Sequence, residues 1–121
     1  MSLMGAAGVA LGAVGAHSLR PYLTDVAFNS YETGVRYLFI HTLLLAAIAL
    51  HGRDDRFIWT FRLIATGTLM FSGSIFVLST RALHGVAAVS MLGPVTPLGG
   101  LLLIAGWLAL ALESRNLNSK E

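Results

Sequence analysis

The chain predicts an all-α integral membrane bundle of four transmembrane helices, and three observations carry that prediction. Four long stretches are nearly free of Asp, Glu, Lys and Arg; the composition is 55% hydrophobic against 12% charged, with a mean hydropathy of +0.74; and polar or proline-bearing breaks separate the stretches. A hydrocarbon core of about 30 Å is crossed by roughly 20 apolar helical residues. A surface carrying about half the usual charge would not stay dissolved in water. At 121 residues the chain has room for one domain and none for an added soluble catalytic domain. The domain is therefore read as residues 1–121, with spans at about 2–19, 35–50, 58–80 and 98–112.

Span one is built from Gly, Ala, Val and Leu and stops at Arg20-Pro21, where a charge and a proline end it. It lacks the basic opening of a secretory leader and reads as a retained span, although Ala13-Val14-Gly15 has a small-x-small pattern. The stretch from Arg20 to Glu32 mixes Thr24, Asp25, Asn29 and Ser30 with apolar residues, and reads as an interfacial loop or short surface helix. Span two follows from about Val35 to Leu50. His51-Gly52-Arg53-Asp54-Asp55-Arg56 is a polar tight turn, and span three runs to about Thr80 with Arg62 placed to snorkel. Gly93-Pro94-Val95-Thr96-Pro97 interrupts the next apolar run. Thr96 fits an N-cap and Pro97 the first helical position, which starts span four at Leu98. Residues 82–93 are too short to cross unaided and read as an extension of span three, a re-entrant piece or an interfacial helix. The tail from Glu113 is expected to fray.

Four spans place both termini on one side. Arg53, Arg56, Arg62, Arg115 and Lys120 lie there, against Arg20, Arg36 and Arg81 opposite, and five against three favours cytoplasmic termini. No Arg- and Ser-rich presequence is evident, so a bacterial inner membrane is the expected location. The eight basic residues are dispersed, which argues against nucleic acid as a partner, and the absence of cysteine removes disulfides and thiolate metal sites.

The small-residue faces are the first candidates for contact. Gly5, Gly8, Gly12 and Gly15 recur along span one, and Gly99, Gly100 and Gly106 along span four. Such faces let backbones approach closely, either within the chain or between copies. Histidines are the second. His17 ends span one and His41 lies about two turns into span two, so the connecting loop brings both toward one leaflet as possible neighbours. Two facing imidazoles could ligate a haem or metal. Structural polar contact is the expected role, with a cofactor or a proton relay as alternatives. His51 and His84 read as plain interfacial residues. Thr66, Thr68, Ser72, Ser74 and Ser79 in span three either line a water path or bond between helices, the latter being expected. Glu32 and Arg36 are spaced to pair. No carboxylate falls within a span, against a proton-coupled antiporter, and none can orient a histidine for nucleophilic catalysis, so no enzymatic activity is expected.

Four segments taken together, GAVGAHSL (Gly12 to Leu19), ETGVRYLFIHTL (Glu32 to Leu43), MFSGSIFVLS (Met70 to Ser79) and TPLGGLLLIAGW (Thr96 to Trp107), resemble the family called domain of unknown function 423. That family has a bacterial YgdD-like branch and mitochondrial relatives called transmembrane protein 256. The resemblance implies a four-span membrane protein without a settled activity. It matches at Gly12, Gly15, Ala16, His17, Tyr37, His41, Ser72, Gly73, Ser74, Thr96, Pro97, Gly99, Gly100, Gly106 and Trp107. It departs at Leu38, where the family usually has Gln, and residues 81–93 look longer than usual. The functional expectation is a structural or accessory subunit, embedded in membrane lipid, that forms a homo-oligomer or joins a larger complex. The alternatives are a small transporter, channel or lipid-binding protein, and haem or metal binding through His17 and His41.

Overall fold

A computed structural model describes residues 1–51 and 57–118, so the expected turn at 52–56 and the last three residues lie outside the described residues. Helix α1 (Ser2–Val14) runs on without a break through one π-helical turn (Gly15–Leu19) and a 3-10 turn (Arg20–Tyr22). Then come α2 (Asp25–Leu50), α3 (Ile58–Ser79), the single turn α4 (Arg81–His84), a 3-10 segment (Ala87–Leu92) and α5 (Val95–Asn118). No strand occurs among the described residues. Four helical segments are long and apolar enough to cross a bilayer: Ser2–Tyr22, Asp25–Leu50, Ile58–Ser79 and Ala87–Arg115. The protein is thus an all-α membrane bundle with four membrane-spanning helices.

Helix boundaries differ from the sequence expectation where local capping overrides polarity. Span two does not wait for Val35: Thr24 Oγ1 accepts from the Ala27 nitrogen at 3.2 Å, and the polar stretch after it becomes the first two turns of α2. Arg20 pairs with Asp25 at 2.9 Å, which favours an acid in that first turn. Span four starts earlier than expected as well. Thr96 is not the N-cap; α5 begins at Val95, the Leu98 nitrogen bonds the Pro94 carbonyl at 3.3 Å, and Pro97 sits in the first turn where its missing N–H costs nothing. Span four does not stop near Leu112 with a fraying tail from Glu113, because α5 continues to Asn118. Residues 82–93 resolve into α4, a left-handed Gly85 (φ 63°) and the 3-10 segment, a cap over the end of α3 rather than a continuation of it.

The helices pack in the order α1, α2, α3, α5, and those three neighbouring pairs supply the main contacts. Leu45, Ile64 and Leu103 form the fully buried centre, with Met4, Leu44, Phe61, Ala65 and Phe71 around it. Lipid tails are as apolar as leucine, so burial by itself does not hold the helices together; close packing and interhelical hydrogen bonds do. Glycine sets the approach of α3 and α5. A methyl group at Gly99 would lie 2.5 Å from the Phe71 nitrogen, and one at Gly67 would lie 2.9 Å from the Leu103 nitrogen, so the two backbones touch.

Candidate functional site

Near the midpoints of α2 and α5 an aromatic and polar cluster faces lipid. Tyr37 stacks on Phe71 with ring centroids 4.4 Å apart, and the Trp107 and His41 rings meet edge-on at 6.2 Å. Trp107 Nε1 donates to His41 Nε2 at 3.2 Å, while His41 Nδ1 lies 2.8 Å from the Tyr37 carbonyl. The indole has only a donor and the carbonyl only an acceptor, so this pattern selects the tautomer with the proton on Nδ1. His41 is only 4% exposed, and both its nitrogens are occupied. The bond also crosses between α2 and α5, which are not packed against one another along their lengths. Tyr37, Ile40, His41, Phe71, Gly100 and Trp107 border a cavity of about 390 Å³ beside it. Tyr37, Ile40 and Trp107 stay exposed at its rim.

His17 is not part of this cluster. It is exposed in the π-helical turn, and the antiparallel register of α1 on α2 shows why the two histidines do not meet. Gly5, Gly8, Gly12 and Gly15 face Thr42, Phe39, Val35 and Tyr31 in turn, which levels His17 with about residue 30 of α2. His41 is about eleven residues further along, or ~16 Å. The expected bis-histidine neighbourhood is thus corrected by the steepness of the hairpin: the 3-10 turn reverses the chain immediately, so depth from the loop grows on both helices at once. Neither nitrogen of His41 has a free lone pair to give a metal. No group of three or more metal-ligating side chains occurs among the described residues.

Of the remaining residues singled out in the sequence, the glycines serve packing within the chain. Gly8 meets Phe39, Gly12 meets Val35, Gly15 lies beneath Tyr31 and Gly106 lies against Ile64. Gly100 meets the Phe71 ring at ordinary distance, and Gly73 faces open space. The Ser/Thr stripe bonds between helices at two points: Ser72 Oγ donates to the Gly34 carbonyl at 2.9 Å, and Ser74 shares a 2.7 Å bond with Thr96. Thr68 and Ser79 bond to their own helix, and Thr66 is exposed. Arg36 and Glu32 pair at 3.6 Å on the surface, and the Arg62 guanidinium lies over Trp59. His84 is exposed and reaches the Val77 carbonyl. Leu38 is buried and supplies apolar packing.

Several residues that the sequence reading passed over are equally structural. Tyr31 donates to the Leu11 carbonyl at 2.8 Å from its place over Gly15, tying α2 to α1 beside the π-helical turn. Thr60, fully buried, donates to Glu113 at 2.6 Å across α3 and α5. Gly34 and Gly67 are the close-approach partners of Phe76 and Leu103. Gly34 stood inside a quoted motif and Gly67 between two threonines. Placing each on a helical wheel with the neighbouring Ser/Thr positions is the signal that would have singled them out.

A helical membrane protein of four spans, with its intramembrane polar groups bonded between helices, is the class that this architecture defines. The family profile described as Protein of unknown function (DUF423) matches residues 11–100, and the chain belongs to that family. It is 37% identical over 107 residues to a UPF0382 membrane protein of Schizosaccharomyces pombe, covering 88% of this chain and 90% of that one. To the UPF0382 membrane protein of Haemophilus influenzae it is 36% identical over 119 residues, covering 94% and 89%. The UPF0382 inner membrane protein YgdD of Escherichia coli K12 is 36% identical over 115 residues, covering 93% and 83%. No solved structure shows a significant match to the chain.

Proposed function

We propose that this protein is a non-catalytic structural or accessory subunit of a membrane assembly. What carries the reading is how the polar side chains of the spans are spent. His41, Trp107, Ser72, Ser74, Thr96, Tyr31 and Thr60 all bond across helix pairs, where they hold the bundle in one arrangement. Such groups fix helix registers in lipid, where apolar burial cannot. Assembly uses the outward face of α3, because the glycines of α1 and α5 are largely consumed within the chain. Thr66, Leu69, Gly73 and Val77 follow one another along that outward face, and Gly73 leaves a gap there.

The native chain contains no cysteine, so single cysteines report contacts cleanly. Gly73→Cys in membranes is expected to form a disulfide-linked dimer, or a crosslink to a co-purifying subunit, whereas Leu108→Cys on α5 is not. A strictly monomeric mass in detergent and in nanodiscs, with no Gly73→Cys adduct, overturns the reading. The membrane is proposed to be the inner membrane, with cytoplasmic termini. The bias of five basic residues against three and the name of the Escherichia coli relative support this. Labelling of Ser2→Cys and Ala88→Cys by an impermeant maleimide on intact cells tests it: only the second is expected to react.

A further inference from the structure

The side of the bundle where α2 and α5 run together without packing holds a second cavity, of about 570 Å³, between the His41–Trp107 bond and the helix ends. Leu44, Ala47, Ile48, Phe57 and Leu110 make its apolar walls, and His51, Ser114 and Arg115 stand at its mouth. We propose that this seam binds one anionic phospholipid, with an acyl chain between α2 and α5 and the phosphate at His51, Ser114 and Arg115.

Depth argues for an acyl chain. From His51 down to His41 is ten helical residues, or ~15 Å, which is one leaflet of a bilayer core of about 30 Å. The His41–Trp107 crossing therefore closes the seam at the bilayer midplane, where a lipid tail ends. Charge argues for an anionic headgroup. Arg115 is exposed and is in neither of the two ion pairs found among the described residues. The nearby acid on the same helix, Glu113, is held by Thr60 on α3 at 2.6 Å. The negative charge of about one half at the end of α2 is offset by the similar positive charge at the start of α3, where Phe57 lines the same cavity, and Glu113 is not among the residues that border it. The ring of His51 is set edge-on against Phe57 at 6.4 Å at the same mouth, adding an N–H donor. A cation at this level is drawn to anionic headgroups, while the apolar walls below accept any tail.

The test is native mass spectrometry of the full chain released from nanodiscs that contain equal amounts of phosphatidylglycerol and phosphatidylcholine with identical acyl chains. One lipid per chain is expected, with phosphatidylglycerol favoured about fivefold. Arg115→Gln, a change at an exposed position, is expected to keep the bound lipid and bring the ratio close to one. Ala47→Trp fills the seam from an exposed position and is expected to lose the adduct while keeping its helical circular dichroism. Equal retention of the two lipids by the native protein, no retained lipid, or an unchanged ratio in Arg115→Gln overturns the proposal, as does a folded Ala47→Trp that keeps its lipid. Lipid mass is read separately from protein mass, so this result stands or falls independently of the subunit assembly proposed above.

Discussion

The α3–α5 and α1–α2 interfaces both rely on glycine, yet they use it in opposite ways. Between α3 and α5 two of the glycines face backbone: Gly67 lies on Leu103 and Gly99, and Gly99 on Phe71. Between α1 and α2 they face side chains, with Gly8 under the Phe39 ring, Gly12 beside a Val35 methyl and Gly15 under Tyr31. A side chain can turn aside, whereas a helix backbone can yield only by moving the whole helix. The first interface is therefore rigid and intolerant, and is further tied by Ser74–Thr96 and Thr60–Glu113. The second is adjustable, and α1 keeps much of its surface toward lipid. Small residues at a helix interface thus say that something comes close, and the identity of that neighbour decides what a substitution costs.

The strongest test of the contrast is Gly99→Ala. Its new methyl would stand 2.5 Å from the Phe71 nitrogen, and the expected loss is about 3 kcal/mol, the upper end for overpacking, measured by reversible unfolding in mixed micelles. Thr60→Val leaves the Glu113 carboxylate without its donor and is expected to cost about 1.5 kcal/mol in the same assay. Trp107→Phe removes the donor to His41 Nε2, for an expected loss of about 1 kcal/mol. A double-mutant cycle with His41→Phe checks it, and a coupling indistinguishable from zero would show that the bond contributes nothing. On the adjustable side the sign reverses. Thr42 is buried against α1 near Gly5, and its hydroxyl has no hydrogen-bond partner among the described residues, so Thr42→Val is expected to stabilise the protein by about 0.5–1 kcal/mol. The smallest effect belongs to Gly12→Ala, whose methyl would make ordinary contact with Val35 at 3.5 Å; a change beyond about 0.5 kcal/mol would break the comparison.

Much of the fold was legible because lipid imposes a simple rule on composition. The four spans follow from runs of apolar residues, and the ends of the first helical segment near Arg20-Pro21 and of α2 near His51 follow from where those runs stop. Polarity misled where a cap could stabilise a helix outside the hydrocarbon layer, as in the turns from Asp25 onward. The candidate site was half legible. His41, Tyr37, Gly100 and Trp107 were each singled out, but in two separate motifs, and nothing in their spacing reveals that they border one cavity. His17 and His41 looked paired because span two was started at Val35, whereas α2 begins at Asp25; the hairpin levels residues equally far from its turn, and His41 stands about eleven residues further from it than His17.

Composition and periodicity alone settled the solvent of this protein, the number of its spans and the helices that carry its small residues, since each depends on local properties of consecutive residues. Only the tertiary structure decided which glycines meet backbone, which donor satisfies His41, and that α2 and α5 leave a seam between them. Those outcomes depend on rotation and register between helices far apart in the chain. In lipid, such choices are set by side-chain fit and a few hydrogen bonds, which no single segment contains.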